Sequence, residues 1–435
     1  MKRVLIISPY FAPSNAADMQ RVRTSLPYFT QFGWDAEVVT VEDRYSEMIK
    51  DDLLMQSLPA NVKIYQVGAF SKAITAKVGL GSLGLRSLWH YRKKVNALLK
   101  AQKYDLIYFS TTQFPLCILG AYWKKQFGVP YVIDMQDPWH SEYYQDKPKH
   151  QRPKKYWFSY RLHKYLEPKA MKQVDGLVSV SANYISDLKQ RYTWLKDIPG
   201  ATITFGAFKP DIEIAVKNSS KFESLLQKGF TNIVYIGRGG VDMHKAIAPV
   251  FEALKKGLKS EPALFGKLKF YFIGTSYAPA GQGAPTILPL ARDYGVDGSV
   301  TELPDRITYY HTLATLQQAD VLFIPGSDDP QYSASKIYPY LLTQKPLLAI
   351  FNEKSSAVAA INDCTVDAVV LTFSNDDNAP AQTLHKTLID WCNGTFRPLT
   401  LSDNFKNYSA ENLTGKQVNL FNQAIEHFET THTNA

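Results

Sequence analysis

The sequence has little cysteine and no long hydrophobic run. Three of its 435 residues are cysteine, Cys117, Cys364 and Cys392, and none stands at a spacing typical of a metal site. Such a sparse, odd set predicts a reducing compartment and no framework of disulfides. The apolar run RVLIIS near the start is shorter than the roughly 7–15 residues of a secretory signal. No run reaches the roughly 18 apolar residues of a membrane span. We therefore predict a cytoplasmic protein that does not cross a membrane.

Length and composition indicate a globular protein of more than one domain. A chain of 435 residues is too long for one typical hydrophobic core, so two or three domains are expected. Hydrophobic residues make up 45% of the chain and charged residues 20%, which is typical of folded globular proteins.

The positive charge is concentrated in two segments. The formal net charge is +9. Residues 71–103 contain eight lysines or arginines and no acid, and residues 147–172 contain nine, with Glu167 as the only acid. Both segments also carry aromatic side chains such as Trp89 and Trp157, which suits an anionic surface. Either these segments lie on the anionic inner face of a membrane, or their apolar residues face the protein's own core and the lysines are solvated. Nucleic acid is not expected as a partner, because no nucleic-acid-binding motif accompanies them.

Short apolar runs alternate with helical stretches along the chain. The strand candidates are RVLIIS, AEVVTV, KIYQV, DLIYFS, PYVIDM and GLVSVS in the first 182 residues, then NIVYIG, LKFYFIG, VTEL, VLFIPG, PLLAIF and AVVLTF. Among the helix candidates, residues 20–32 are interpreted as one helix. Continuous apolar strands alternating with helices predict parallel sheets covered on both faces. We therefore predict an α/β protein with two doubly wound domains, 1–206 and 207–405, and a closing helix and tail at 406–435. Ser409 is the expected N-cap of that helix.

Ligands of open parallel sheets lie beyond the carboxyl ends of the strands, so the loops after strands are the first candidates for a site. The loop after RVLIIS contains four small residues, Ser14, Asn15, Ala16 and Ala17, which let a ligand approach the backbone. This loop is either a cradle for a phosphate or sugar or a tight strand-to-helix turn.

A second loop follows the strand NIVYIG. In GRGGVDMHK, Arg238 and Lys245 stand near the start of the next helix. Two cations at a helix N-terminus form a strong site for a diphosphate. The alternative is a pair of surface cations beside a flexible loop, because GRGG is not the dinucleotide fingerprint GxGxxG.

A third loop, GSDDPQYSASK, follows the strand VLFIP. Ser335 and Lys336 near a helix start could hold phosphate, and Tyr332 and Tyr338 could stack on a ligand or form hydrogen bonds with it. The two adjacent aspartates of this loop are interpreted as loop and capping residues, since no cluster of further ligands accompanies them.

Polar side chains also crowd the end of the strand PYVIDM. Asp134 ends this strand, and Asp137, Trp139, His140 and Glu142 follow. A carboxylate at this place could orient a hydroxyl or act as a base. An aspartate after a strand is also a common turn residue.

Taken in their order along the chain, the four stretches resemble the glycosyltransferases with two facing Rossmann-like domains, the GT-B fold. The closest likeness is to family 4, a large retaining group that includes many bacterial polysaccharide enzymes. SPYFAPSNAADMQRV resembles the family's Tyr-x-Pro-Pro-x-x-Gly-Gly-x-x-x-Arg loop, with Ala16 and Ala17 at the glycines and Arg21 at the arginine. GVPYVIDMQDPW resembles the strand that ends in His-Asp or Arg-Asp-Leu-Trp-Pro, so that Asp137 and Trp139 match. IGRGGVDMHK resembles the Gly-Arg…Lys donor motif, and SASKIYPYLLTQKPLLA the Ser-Lys-Leu-x-Glu-Tyr-Leu-Ala-x-Gly-Lys-Pro segment.

The resemblance covers nearly the whole chain and implies a role for each matched residue. The final helix is expected to cross back to the first domain, as the family's closing segment does. The residues expected to bind the donor are Ala16, Ala17, Arg238, Lys245, Tyr332, Ser335 and Lys336. The residues expected to bind the acceptor are Arg21, Trp139 and His140, and those expected to take part in catalysis are Asp137 and Gln331.

One motif of the family is altered. The family carries Glu-x7-Glu in the third loop, and here Gln331 and Pro339 stand at the two glutamates. Gln331 can still form a hydrogen bond with a sugar hydroxyl, but Pro339 has no side-chain oxygen for the ribose. Tyr338 and Tyr340 flank Pro339 and are candidates to replace the missing carboxylate.

The resemblance implies transfer of a sugar from a nucleotide-sugar donor to a saccharide or lipid-linked acceptor. It also implies retention of the anomeric configuration without a metal or other cofactor. Two alternatives stay open at this point. One is a sugar-nucleotide epimerase of the same architecture, and the other is a degenerate protein that binds a sugar nucleotide without turnover.

Overall fold

Each apolar run predicted as a strand forms one in the computed structural model, which describes residues 1–140, 145, 156–279, 281–329, 337–374 and 377–433. The chain is divided into two units. The first unit comprises Met1–Gly206 and Tyr408–Ala435, and the second comprises Ala207–Asn407. The chain therefore leaves the first unit, builds the second and returns to the first with its last helix.

The first unit contains a seven-stranded parallel sheet with the strand order β3-β2-β1-β4-β5-β6-β7. Its strands are β1 Lys2–Ile7, β2 Trp34–Val41, β3 Lys63–Val67, β4 Leu106–Ser110, β5 Tyr131–Met135, β6 Gly176–Ser179 and β7 Gly200–Thr202. Every residue of β4 and β5 is buried, because helices cover both faces of the sheet.

The second unit contains a six-stranded parallel sheet with the strand order β10-β9-β8-β11-β12-β13. Its strands are β8 Thr231–Ile236, β9 Leu268–Ile273, β10 Val300–Leu303, β11 Val321–Pro325, β12 Leu347–Asn352 and β13 Val369–Phe373. Both units are therefore doubly wound α/β structures, which confirms the predicted fold class.

Fifteen α-helices accompany the strands in the described residues. They are α1 Gln20–Ser25, α2 Lys72–Thr75, α3 Leu83–Ala101, α4 Ile118–Phe127, α5 Tyr156–Met171, α6 Ala182–Arg191, α7 Lys209–Lys217, α8 His244–Ser260, α9 Pro262–Phe265, α10 Leu288–Tyr294, α11 Tyr309–Gln318, α12 Ile337–Leu342, α13 Ser356–Cys364, α14 Ala381–Cys392 and α15 Ala410–Thr433. None of the described helices combines the length and the hydrophobicity that crossing a membrane requires.

Each sheet has one switch point, where the order of the strands reverses direction. In the first unit it lies between β1 and β4, and in the second between β8 and β11. The loops after two such strands leave the sheet toward opposite faces, so a crevice opens at their carboxyl ends. The loops after β1, β4, β8 and β11 are therefore the places where the fold favours a ligand.

The last helix, α15, packs on the first unit. The ring of Phe421 lies 5.5 Å from that of Trp34 and 5.0 Å from that of Tyr108, measured between centroids. Ser409 Oγ accepts a hydrogen bond from the main-chain N–H of Asn412 over 3.1 Å, which confirms Ser409 as the N-cap. The predicted return of the final helix to the first unit is therefore observed.

Two elements differ from the sequence-based prediction. Residues 20–32 do not form one helix, because α1 ends at Ser25 and a separate 3-10 turn spans Phe29–Phe32. Pro27 lies between them; it has no N–H group, so it cannot continue the hydrogen bonds of α1 to the carbonyl of Arg23. Strand β7 was not predicted, since it has three residues at the edge of the sheet and no apolar run.

Candidate functional site

Asp242 joins the loops after β8 and β11, at the switch point of the second unit. Its carboxylate accepts hydrogen bonds from Arg238 Nη1 over 3.1 Å and from Arg238 Nη2 over 2.6 Å. Ser327 Oγ donates to the same carboxylate over 2.7 Å. The hydrogen bond from Arg238 holds the pKa of Asp242 below its ordinary value. Sequence reasoning found Arg238 but missed the acid that orients it, although the i,i+4 spacing of the pair was a usable signal.

Lys245 lies in the first turn of α8. Its ammonium nitrogen is 5.9 Å from the centroid of the Phe373 ring. Helix α8 has 17 residues and follows a 3-10 turn, Val241–Met243, and the N-cap residue Met243 forms no side-chain hydrogen bond with the helix. The start of α8 therefore keeps the partial positive charge of a helix N-terminus. Arg238 and Lys245 are both close in sequence to this start, as the motif predicts.

The glycine-rich loop after β8 packs tightly on the loop after β9. A Cβ atom at Gly239 would meet Thr286 Oγ1 at 2.5 Å and Thr275 Cβ at 2.9 Å, so a larger residue would displace its neighbours. Glu302 holds the second of these loops, because its carboxylate accepts from Thr275 Oγ1 over 2.6 Å and from the main-chain N–H of Thr286 over 2.9 Å. Nothing in the sequence singled out Glu302.

Four residues predicted for the third loop, Gln331, Tyr332, Ser335 and Lys336, lie outside the described residues. In the described part, the main-chain N–H of Asp329 donates to Ser327 Oγ over 3.1 Å, and that of Asp328 donates to the carbonyl of Asp242 over 2.8 Å. These contacts fit the interpretation of both aspartates as loop residues.

Tyr340 does not replace the carboxylate that Pro339 lacks. Its hydroxyl accepts a hydrogen bond from the N–H of Ile236 over 2.7 Å and donates to the carbonyl of Ile236 over 3.1 Å. The residue is 2% exposed. Tyr340 therefore fixes the end of β8, which corrects the expectation that its hydroxyl is available to a ribose.

The loop after β1 adopts a conformation that alanine tolerates. Ala16 has φ −105° and ψ 146°, and among the described residues Gln344 is the only non-glycine residue with a positive φ. Neither Ala16 nor Ala17 therefore needs the freedom of the glycines that stand there in the family. Ala17 begins a 3-10 turn, Ala17–Met19, that continues into α1. The geometry fits a strand-to-helix turn, and contact with a donor stays a prediction.

Asp18 connects the loops after β1 and β4. Its carboxylate accepts from the main-chain N–H of Thr112 and from Thr112 Oγ1, each over 2.9 Å. Asp18 is 3% exposed. Burial raises the pKa of its carboxyl group, and the hydrogen bonds from Thr112 oppose that shift. Asp18 was missed in the sequence, because its partner lies far along the chain.

Arg21 forms a buried ion pair with Asp134. Arg21 Nε donates to Asp134 Oδ2 over 2.6 Å, and the two side chains are 4% and 0% exposed. Tyr108 and Gln136 donate to the same carboxylate oxygen over 3.0 and 2.8 Å. Arg21 Nη2 donates to the carbonyl of Ile203 over 2.6 Å. These contacts give Arg21 a structural role, and its contact with an acceptor stays a prediction.

Asp137, two residues after β5, differs from the other acids of the site. The residue is exposed and forms no hydrogen bond or ion pair with the part of the chain that the structure describes. The protein atoms around the carboxyl group remove part of its hydration, although the residue as a whole is exposed, and this desolvation raises its pKa above the ordinary value. The pKa of Tyr184 is raised by burial and, to a smaller extent, by the charge of Asp137. Within the described residues, Asp137 is thus a carboxylate that has no structural partner and lies close enough to Tyr184 to affect its pKa.

Trp139 and His140 line a cavity of about 460 Å³ at the carboxyl ends of β5 and β6. The ring of Trp139 stacks on that of Phe114 at a centroid distance of 5.4 Å, and Trp139 Nε1 is buried without an acceptor in the described residues. The main-chain N–H of His140 donates to Glu167 Oε2 over 3.0 Å.

Polar groups from helices α5 and α6 complete this cavity. They are Glu167, Tyr184, Asp187 and Arg191. Arg191 Nη1 donates to Glu167 Oε1 over 2.6 Å, which balances the buried carboxylate. An aromatic wall beside several hydrogen-bonding groups suits a small polar molecule such as a sugar. The structure thus brings Asp137, Trp139 and His140 to one end of the sheet, next to a cavity.

No group of three or more histidine, cysteine, aspartate or glutamate side chains in the described ranges is arranged to hold a metal ion. The three cysteines are buried and unpaired.

Comparisons with known proteins identify the fold. The sequence matches no protein-family model and no curated protein. The N-terminal domain of Candida albicans trehalose-6-phosphate phosphatase is similar in structure, with a TM-score of 0.57 and 13% identity over 97% of both chains. A mutant of S. aureus TarM, in complex with fondaparinux, α-GlcNAc-glycerol and UDP, has a TM-score of 0.51 and 13% identity, covering 97% of this chain and 100% of TarM.

A third structure is that of WaaG, a glycosyltransferase involved in lipopolysaccharide biosynthesis, with a TM-score of 0.47 and 14% identity, covering 98% and 99% of the two chains. Together with the two parallel sheets, the likeness to TarM shows that the chain has the two-domain GT-B fold. The predicted GT-B architecture is confirmed, and the assignment to family 4 stays a prediction.

Substitution of Arg21 tests whether this residue stabilises the fold or binds the acceptor. We expect Arg21→Ala to lower the free energy of unfolding by about 3–5 kcal/mol, because it leaves the buried carboxylate of Asp134 unpaired. Urea denaturation measures the change. Arg44→Ala, which removes an exposed ion pair to Glu42, is the control and should cost less than about 1 kcal/mol. An Arg21→Ala protein of normal stability that had lost only acceptor binding would contradict the structural role and support the acceptor contact that the resemblance implies.

Proposed function

We propose that the protein is a glycosyltransferase that uses a nucleotide-sugar donor. The observation that carries the proposal is the cationic start of α8 at a switch point of a GT-B fold. Arg238, Lys245 and the N-terminal end of α8 suit the two phosphates of such a donor. TarM, which shares this fold, was solved with UDP, and this supports a donor of the nucleotide-sugar class.

The proposed chemistry is departure of a nucleoside diphosphate from the anomeric carbon of the sugar. The bond from this carbon to the phosphate oxygen breaks, the oxygen keeps the electron pair, and negative charge grows on the diphosphate. Cations placed beforehand at that oxygen stabilise the transition state. Arg238 and Lys245 supply this charge in the proposal, and Asp242 is a positioning residue that orients the guanidinium. Retention of configuration and independence of a metal belong to the same proposal.

The first unit would bind the acceptor, a saccharide or a lipid-linked saccharide. Asp137 would orient the attacking hydroxyl, since its carboxylate has no structural partner in the described chain. Trp139 and His140 would contact the acceptor from the wall of the 460 Å³ cavity. The roles of Gln331 in catalysis and of Tyr332, Ser335 and Lys336 in donor binding rest on the resemblance.

Incubation of the protein with a panel of nucleotide sugars separates this function from its two alternatives. Transfer to an added acceptor, or slow hydrolysis of one donor, supports the glycosyltransferase. Formation of an epimer of the donor identifies an epimerase. Binding of a nucleotide sugar without any turnover identifies a degenerate binding protein, for which Pro339 and the occupied hydroxyl of Tyr340 are the arguments.

Neutralising the cations near α8 tests the donor site. We expect Arg238→Ala and Lys245→Ala each to reduce kcat by roughly 30- to 1,000-fold, the usual loss for one charge-stabilising group in a closed site. Lys255→Ala is the matched control, because Lys255 is exposed on the same helix about 15 Å further along. Normal turnover in both active-site variants would show that the diphosphate binds elsewhere.

Asp137→Asn tests the acceptor side. We expect transfer to fall by about 100-fold or more while donor affinity stays unchanged, as for a group that acts on the acceptor hydroxyl. Because the pKa of Asp137 is raised, the wild type should lose activity on acidification at a pH above the ordinary pKa range of aspartate. Asp137→Asn should remove this acid limb from the pH profile.

Stability provides the second readout for Asp137→Asn. A carboxyl group whose pKa is raised by folding stabilises the protein below its unfolded-state pKa, and this contribution is lost as the pH rises through the raised value. At neutral pH the asparagine variant should therefore melt no lower than the wild type. A lower Tm together with equal losses of transfer and donor binding would indicate a turn residue instead.

The proposal includes docking on an anionic bilayer, for which part of the first unit is suited. Helix α3 buries Val95 and Leu98 in the core, as one alternative expected, but its Trp89 is 54% exposed. Trp89 belongs to a set of exposed apolar side chains in this part of the first unit. We call this set the apolar surface; it consists of Phe70, Ile74, Val78, Trp89 and Trp157. The Phe70 and Trp89 rings are 6.3 Å apart, and the Lys93 ammonium lies 5.5 Å from the Trp89 ring. Apolar side chains among lysines are typical of interfacial attachment.

Flotation with liposomes checks the docking. Binding should rise with the fraction of anionic lipid and fall with salt, since each lysine near such a bilayer contributes about 1 kcal/mol. The triple variant Ile74→Ser, Val78→Ser and Trp157→Ser should float less, whereas Val216→Ser with Val366→Ser, exposed in the second unit, should behave as the wild type. Lys149, Arg152, Lys154 and Lys155, in the second basic segment, lie outside the described residues. No flotation on strongly anionic vesicles at low salt would indicate a soluble acceptor.

A further inference from the structure

Arg86, near the start of α3, is a buried cation that forms no ion pair at contact distance in the described chain. The residue is 5% exposed. Its Nη1 donates to the carbonyl of Phe70 over 2.8 Å and its Nη2 to the carbonyl of Tyr45 over 3.0 Å, while Nε has no acceptor among the described residues. A guanidinium group has five N–H donors, so these two contacts leave three donors available, and neither contact brings a negative charge. Buried charges in proteins are ordinarily paired.

A cavity of about 150 Å³ adjoins Arg86. Its wall includes Tyr10 from the loop after β1, Tyr45 from the segment after β2 and Gln113 from the loop after β4. The cavity therefore lies at the switch point of the first sheet, where the fold favours a ligand. It is separate from the 460 Å³ cavity after β5 and shares none of its wall residues. Its volume exceeds what a single water molecule requires.

The other charges around this cavity also favour an anion. Ser82 and Leu83, at the start of the 19-residue helix α3, form part of the wall, which brings the positive end of the helix dipole to the cavity. Lys72 and Glu47 line it too and are bonded to each other, with side chains 48% and 69% exposed. The hydrogen bond from Lys72 lowers the pKa of Glu47 most, and the charge of Arg86 also lowers it, so Glu47 lies within electrostatic reach of Arg86. Because Glu47 is exposed and already bonded to Lys72, it compensates the charge of Arg86 only in part.

We propose that this cavity binds the oxyanion of the acceptor, a phosphate monoester or a carboxylate, on the guanidinium group of Arg86. The planar fork of N–H donors matches two oxygens of such a group. That the anion belongs to an acceptor rests on the proposed function, but the anion site itself does not. A cation would be repelled by Arg86, and a neutral ligand would leave its charge uncompensated.

Calorimetric titration tests the site without any donor or turnover. Inorganic phosphate and, separately, acetate are titrated into the full-length protein at constant ionic strength. We expect one of the two anions to bind and Arg86→Gln to weaken this binding about tenfold or more, the loss expected for hydrogen bonds to a charged group. Stronger binding of phosphate identifies a phosphate-bearing acceptor, and stronger binding of acetate identifies a carboxylate. Absence of binding for both anions, or equal affinity in Arg86→Gln, overturns the proposal.

Exposed variants keep this test valid if Arg86→Gln does not fold. Lys72→Glu should also weaken the binding of the anion, because it places a second acid beside Glu47 at the cavity. Arg92→Gln and Lys100→Glu are the controls, since both residues are exposed on α3 and Lys100 lies about 20 Å beyond Arg86. Equal loss in Lys72→Glu and Lys100→Glu would indicate a general charge effect and would overturn the site.

A matched pair of acceptors, the same sugar with and without a phosphate or carboxylate, connects the site to the reaction. Wild-type protein should show a lower KM for the charged acceptor, and Arg86→Gln should abolish this preference with kcat little changed. Anion binding that depends on Arg86, in a protein that transfers no sugar, would leave the site standing and refute the glycosyltransferase. Transfer that proceeds equally well to both acceptors in the wild type would refute the assignment of the anion to the acceptor and leave the glycosyltransferase standing.

Discussion

The first unit depends on one buried carboxylate, that of Asp134 at the end of β5. A charged side chain at 0% exposure is tolerated only with an opposite charge and several hydrogen bonds. Arg21 supplies the charge from α1, and Ser110 at the end of β4 donates to the same oxygen over 3.2 Å. Because Arg21 also donates to the carbonyls of residues 203 and 204, the ion pair joins α1 and the ends of β4 and β5 to the segment where the chain leaves the unit.

Carboxylates organise the ends of the strands in both sheets. Loops at these ends expose N–H groups that have no partner in the strand ladder, and a carboxylate can accept several of them at once. Asp18, Asp242 and Glu302 each connect residues that follow or precede different strands. Asp137 stands apart, because the described structure makes no use of its side chain in this way. A search for catalytic acids by residue type alone would count all four equally, and only their contacts separate them.

Much of the fold could be predicted, because β-branched apolar runs of four to six residues report burial on both faces directly. Strand β7 escaped this reading, since Gly-Ala-Thr at a sheet edge carries no such signal. For the site, the strand-loop-helix order located Arg238 and Lys245. The roles of Asp18 and Glu302 could not be predicted, because their hydrogen-bond partners come close only in the folded chain. Thr112, for example, is 94 residues from Asp18 in the sequence. Tyr340 likewise looked available until its contacts with Ile236 were seen.

Three arginines near the carboxyl ends of the strands differ in how their positive charge is balanced, and this difference indicates different roles. Arg21 is paired with Asp134 at 2.6 Å and fully enclosed, so its charge is used within the fold. Arg238 is paired with Asp242 but remains 25% exposed, so the pair orients a cation that a ligand can still reach. Arg86 is as enclosed as Arg21, and in the described residues its hydrogen bonds go to main-chain carbonyls alone. Enclosure without a counter-charge is costly for an isolated protein. An anion from outside would remove this cost, and it would lie among the loops after β1, β2 and β4 that form the cavity.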